Sequence, residues 1–270
     1  MKKIFIINFI ILFLGAHLIN AQKEKIINLP NFDKRKIHFG YYLGVNNYGF
    51  NIKYWNQQGL DPSIPINPIP SKDNPDMFVD VNSKLGFNIG FVIDYRLHNN
   101  INLRFEPGLR SNTKELTFIN PNLYATDPQG NIIYNGTTDN VREVAGTYMH
   151  LPILLKFSTN RMNNLRPYVI GGVAYDYNFS SNEKNPDDNY DGEFRLTTNN
   201  FMYEVGLGVD FYFDFFKFTP SIRGMFAINN ELIPDNIHSY NDVGVPYTSP
   251  WTGPIENLGT SGIFLNLTFE

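Results

Sequence analysis

The residues best suited by type to do chemistry are His238, Ser239 and Asp242, in the run NIHSYND. An imidazole, a hydroxyl and a carboxylate can together activate a nucleophile against an acyl or peptide carbonyl. That constellation is defined by geometry, and neighbours in a loop are equally well read as ordinary polar groups. Asp187, Asp188, Asp191 and Glu193, in NPDDNYDGE, could collect calcium. Their spacing lacks the register of an EF-hand loop, and a solvated charge run is the simpler reading. His38, His98 and His150 stand apart from one another, and with no cysteine in the chain, thiolate metal sites and disulfides are excluded. A lumen-facing structural role suits His150. Asn135-Gly136-Thr137 matches a glycosylation sequon, and the glycines at Gly171 and Gly206 lack the strand-turn-helix setting of a phosphate loop. The expectation is therefore no catalytic, cofactor-binding or metal-binding residues, and no enzyme.

A second set of charged residues is more orderly. Asp94, Arg96, Arg104, Glu106, Arg110, Glu204, Asp210 and Arg223 each alternate with apolar neighbours. In LGFNIGFVIDYRL, residues 85–97, every odd position is Leu, Phe, Ile or Tyr, while the even positions carry Gly, Asn, Val, Asp and Arg. A period of two is the mark of a strand whose faces meet different surroundings. What positions these charges is therefore a set of strands.

Eight such strands are expected, at 36–54, 85–97, 101–110, 144–157, 166–178, 201–213, 217–228 and 262–270. In the first, the apolar row passes from Val45 to Tyr48, and a bulge near Asn46-Asn47 would explain the change of parity. The links after the second, fourth and sixth strands are short. Those after the first, third, fifth and seventh, at 55–84, 111–143, 179–200 and 229–258, are long and rich in turn-forming residues. Strict alternation of short and long links is the rhythm of an outer-membrane barrel.

Sidedness follows from size and charge. Eight strands enclose an interior that side chains only just fill. Facing the Phe, Tyr, Leu and Ile rows inward would overfill it. Facing them outward into lipid leaves the eight charged residues inside, four acids with four bases, able to pair. An Arg turned into mid-bilayer lipid would cost about 2–4 kcal/mol. The expected fold is all-β, an antiparallel up-and-down transmembrane β-barrel with a filled lumen. Pro107 and Pro152 fall inside strands, where each removes a ladder donor, so local bulges are expected there.

The chain ends agree with export. Residues 1–21 read as a cleaved signal peptide, with Lys2 and Lys3 before an apolar run and Ala21 at the cut. Residues 22–35 then form a short periplasmic segment, and 36–270 the barrel. The leader takes two lysines with it, leaving 20 basic against 26 acidic residues and no basic stripe, so nucleic acid is not an expected partner. The ending FLNLTFE, with Leu265, Leu267 and Phe269 in alternation, suits a terminal signal read by barrel-insertion machinery. Tyr54, Trp55, Phe201, Tyr247 and Trp251 lie at strand–loop borders, where the same amphipathic rings suit either an interfacial aromatic girdle against outer-membrane lipid or a partner-docking surface.

KIHFGYYLGVNNYGFNIKY, LRFEPGL, YMHLPILLKF, RPYVIGGVAYDYN and YEVGLGVDFYF resemble strands of the PorT family, the outer-membrane barrels of the type IX secretion system. LRFEPGL and HLPILLKF occur across a wider group of small barrels, while the first strand and the link lengths favour PorT. The resemblance implies a non-enzymatic accessory role in exporting surface proteins that carry C-terminal secretion domains, with other secretion components as partners, and in gliding motility. Competing expectations are a generic barrel for adhesion or envelope stability and, less favoured, a rim enzyme acting on lipid A or peptides.

Overall fold

The computed structural model describes residues 26–54, 79–118, 141–236, 251–253 and 255–270. Ten strand segments make one antiparallel sheet: β1 (Ile37–Tyr54), β2 (Val79–Ser83), β3 (Gly86–His98), β4 (Ile101–Phe105), β5 (Gly108–Phe118), β6 (Val141–Ser158), β7 (Leu165–Asn178), β8 (Asn199–Tyr212), β9 (Lys217–Ala227) and β10 (Ile255–Phe269). β1 pairs with β10 on one side and β3 on the other, so the sheet closes on itself. The excess over eight strands is two interruptions. β2 and β3 run successively along β5, and β4 and β5 run successively along β6.

The second interruption lies at Glu106-Pro107, one of the expected irregularities. Pro152 does not bulge, since β6 pairs with β7 in unbroken register through Pro152 and Ala174. Its missing N–H instead falls opposite the break: Glu106 N–H donates to the Pro152 carbonyl at 3.4 Å, and the Glu106 carbonyl accepts from the Tyr42 hydroxyl at 3.4 Å. The two prolines thus share one gap in the ladder. Gly108 and Gly90 lie beneath Tyr42, where a Cβ on Gly108 would meet the phenolic oxygen at 2.2 Å, so only glycine admits that ring.

The outward rows are apolar as expected. Phe39, Phe87, Phe91, Val173, Val205, Leu207 and Ile263 are all more than half exposed, a belt of a kind that belongs in lipid. The expected bulge at Asn46-Asn47 is absent. β1 pairs without slip from Tyr41 to Lys53, and its one register shift is at Lys53/Tyr54. Parity never changes; the chemistry of the two faces does. Below Asn46 the inward residues are His38, Tyr42 and Asn46 and the outward ones Ile37, Phe39, Tyr41, Leu43 and Val45. Above it Tyr48 and Phe50 point inward, while Asn47, Asn51 and Lys53 point out.

The same exchange occurs in β5, where inward Arg110, Asn112 and Lys114 give way to inward Leu116 and Phe118, with Glu115 and Thr117 outside. β6 has Glu143 outside and Val144 inside at its upper end, and Leu155 and Phe157 outside at its lower end. The wall therefore extends past the lipid belt at the long-loop end and becomes a barrel with a water-soluble exterior. It is packed with Phe50, Leu116, Phe118, Val144, Phe194, Leu196, Leu232, Trp251, Ile255 and Leu258. This extension also explains why β2, upper β5 and upper β10 occupy sequence assigned to loops.

Candidate functional site: a charged column in a closed lumen

At the short-turn end, Lys217 Nζ meets Glu270 Oε2 at 2.6 Å, and Arg104 Nη2 meets Glu270 Oε1 at 3.0 Å. Arg104 also reaches Asp94 Oδ2 at 3.4 Å, while Lys156 donates to both oxygens of Asp210 at 2.8 Å. Higher up, Arg104 Nε donates to Glu106, whose carboxylate also takes a two-pronged grip from Arg223, at 2.7 and 2.9 Å. Paired parallel N–H donors of this kind give both strength and fixed orientation. His150 then links Glu204, at 2.8 Å, to Asp176, at 2.5 Å, and Arg110 donates to the other Asp176 oxygen. Carboxylates only accept, so two ring nitrogens facing two carboxylates suit the doubly protonated imidazolium. With that charge, six acids (Asp94, Glu106, Asp176, Glu204, Asp210, Glu270) face six cations (Arg104, Arg110, His150, Lys156, Lys217, Arg223).

Seven of the eight expected lumen charges join this column. Arg96 does not: its Nη1 and Nη2 donate to the Asp33 and Lys34 carbonyls outside it. Asp176, Lys156, Lys217 and Glu270 were missed. Lys156 sits between Leu155 and Phe157, and Asp176 between Tyr175 and Tyr177, so parity alone would have found both.

Both mouths are covered. At the short-turn end, residues 26–35 fold across the opening. Asp33 takes the Tyr212 hydroxyl at 2.7 Å and faces Arg166 at 3.3 Å and Arg161 at 3.6 Å. Phe32 stacks on His38 at 4.3 Å, and Asn28 and Asn164 tie the segment to the β6–β7 turn. Asp33→Ala should leave the barrel assembled but free this strap. Limited trypsin digestion of reconstituted protein is then expected to cut at Arg35 or Lys36 at least about tenfold faster, as loss of local structure predicts.

At the other end, residues 179–198 and 229–236 cross the mouth. Leu196 bridges Leu232, Arg142 Nη2 donates to the Asn189 carbonyl at 2.7 Å, and Thr252 Oγ1 to Asp235 at 2.9 Å. Burial raises the Glu231 carboxyl above its usual range against the pull of Lys114; Thr260 donates to it at 2.6 Å. Between the two covers, the cavity beside Arg110 and His150 measures about 10 Å³, room for about one water.

Trp251 is a correction to the expected girdle. It is 1% exposed, under the Arg142 guanidinium and inside the upper core. Tyr54 also turns toward that core, its hydroxyl accepting from Val79 N–H at 3.0 Å. Phe201 does face outward, 5.6 Å from Tyr175. Leu265 points outward, Leu267 follows the same row, and Phe269 stacks on Tyr41 at 5.3 Å. In the acidic run, Asp188 is fully buried and accepts from Asn236 N–H at 2.9 Å, a structural duty. Residues 1–25, Trp55, the 135–137 sequon, His238, Ser239, Asp242 and Tyr247 lie outside the described residues.

A family model for the outer membrane protein β-barrel domain matches residues 20–232. Comparison with curated protein sequences finds no match. Among solved structures, the fold is similar to OprG from Pseudomonas aeruginosa, at 12% identity and TM-score 0.40, over 85% of this chain and 94% of that one. It is similar to neisserial surface protein A at 8% identity and TM-score 0.38, over 87% and 98%. It is also similar to the outer membrane protease OmpT from Escherichia coli at 12% identity and TM-score 0.35, over 87% and 95%.

Proposed function

Because this chain belongs to the outer membrane protein β-barrel domain family and resides in the outer membrane, we propose that it serves type IX protein secretion as a sealed, non-enzymatic barrel. In this role it supports export and maturation of surface proteins with C-terminal secretion domains, and gliding in cells that glide. The observation that carries the reading is the filled lumen. Among the described residues, a column of paired charges under two covers leaves no conduit for a nutrient or a folded protein, and on this reading the barrel acts through its surfaces on other secretion components. The strand resemblance to PorT supplies the system.

Two measurements test it. Purified protein in planar bilayers is expected to give no steady conductance; a stable open channel would end the sealed-barrel reading. Deleting the gene is expected to strip cargo with C-terminal secretion domains from the cell surface and leave it unprocessed in the periplasm. Unchanged export with lost adhesion would replace the proposal with an adhesion barrel, toward which the folded outer cap would then point.

A further inference from the structure

Among the described residues, one stretch of the closed wall is open at the side. β6 pairs with β5 from Val141 to His150, but with β7 only from Tyr148 downward. At the branch point Thr147 still faces the β7 side, its carbonyl accepting from Phe179 N–H at 2.9 Å and its N–H donating to Ser180 Oγ at 3.2 Å. Backbone groups in an antiparallel strand alternate direction with each residue. Ala145, Glu143 and Val141 therefore aim their N–H and C=O groups the same way as Thr147. Among the described residues no strand pairs with them there. An unpaired edge is a template for another strand.

A cavity of about 220 Å³ adjoins this edge; Val144, Phe194 and Leu196 give it an apolar floor, and Tyr148, Asn178, Ser180, Asn182, Glu143 and Glu193 make most of its open lining polar. It is smaller than a typical small-molecule pocket, and takes one large side chain. Lys84 sits 3.3 Å from Glu143 and 4.0 Å from Glu115, and Asn182 donates to Glu193 at 3.1 Å, so the rim holds three carboxylates against one ammonium and its net charge still favours a cationic occupant.

We propose that the β6 edge at residues 141–145, above the lipid belt, accepts an extended peptide as an added strand. The peptide's alternate residues are Lys or Arg, beside Glu143 and Glu193, and one amphipathic residue between them enters the cavity, its apolar part toward Phe194 and Leu196. Backbone hydrogen bonds supply affinity, and the pocket and rim supply selectivity. This surface is independent of the secretion role, since binding is read on isolated protein without cargo or partners.

The test uses the full mature protein in detergent and a short fluorescent peptide alternating Lys with Thr and Tyr. Saturable anisotropy is expected, weakened roughly tenfold when alternate peptide amides are N-methylated, as loss of edge hydrogen bonds dictates. Glu143→Lys should weaken binding by a similar factor. Ala145→Pro, which removes an N–H aimed at the notch and none aimed at β5, should abolish it. Heat-modifiability on gels checks that each variant is folded. Equal binding of the N-methylated peptide would overturn strand addition. Absence of saturable binding would also overturn the proposal, whether residues 119–140 or a second copy, seen by cross-linking, covers the edge instead.

Discussion

Glu106→Gln should destabilise the barrel by about 3–5 kcal/mol, the usual cost of removing one partner from a buried charge network. Glu106 is 1% exposed and holds Arg104 and Arg223 together, so the neutral amide leaves two guanidinium groups short of charge in a dry interior. Urea titration of the protein folded in lipid vesicles reads the loss as a lowered midpoint. The reference is Lys53→Gln, which breaks the exposed 2.8 Å pair with Glu256 and should change stability by no more than about 1 kcal/mol. If Glu106→Gln were as mild as Lys53→Gln, the column would be packing and not a linked charge system.

Leu207→Arg carries the second large effect, about 2–4 kcal/mol, because its side chain lies at mid-belt among outward Val169 and Ile222. Asn51→Arg is the matched control. It also points outward, yet above the belt, and should be tolerated within about 0.5 kcal/mol. Folding yields and unfolding free energies in vesicles separate the two. Equal penalties would mean that the wall at Asn51 meets lipid, and the exchange of faces along β1 would be wrong.

That exchange also explains how far the sequence could be read. Within the belt, lipid outside and charge inside give alternation its full contrast, so β3, β8 and the lower part of β10 stand out. In the upper wall the contrast shrinks. SNTKELTF in β5 places Asn112 and Lys114 inward beside Leu116 and Phe118, and no single polarity rule marks the inner face. Such a stretch reads as loop. In β1 the apolar row crossed from one face to the other with the strand unbroken, which imitates a bulge. The column was legible where a charge sat between apolar neighbours. Arg96 had that pattern too, but a side chain at the rim can reach outside the column, here toward residues 33 and 34. Trp251 has no alternating context, so its place at a strand–loop border points to the girdle, while the packing that draws its indole into the upper core leaves no periodic mark.

The change of faces at Asn47 also fixes how deep the molecule sits. Outward apolar residues span 37–45 in β1 and 85–97 near β3, roughly 20–30 Å of height at a strand rise of about 3.3 Å and a tilt near 40°. Sliding outward would wet Val45 and Phe87; sinking would immerse Lys53 and Glu256 in acyl chains. The barrel is thus a ruler. Where the surrounding bilayer is thicker or thinner than that ruler, the lipids must deform to meet it, since the wall has no sequence to spare in either direction.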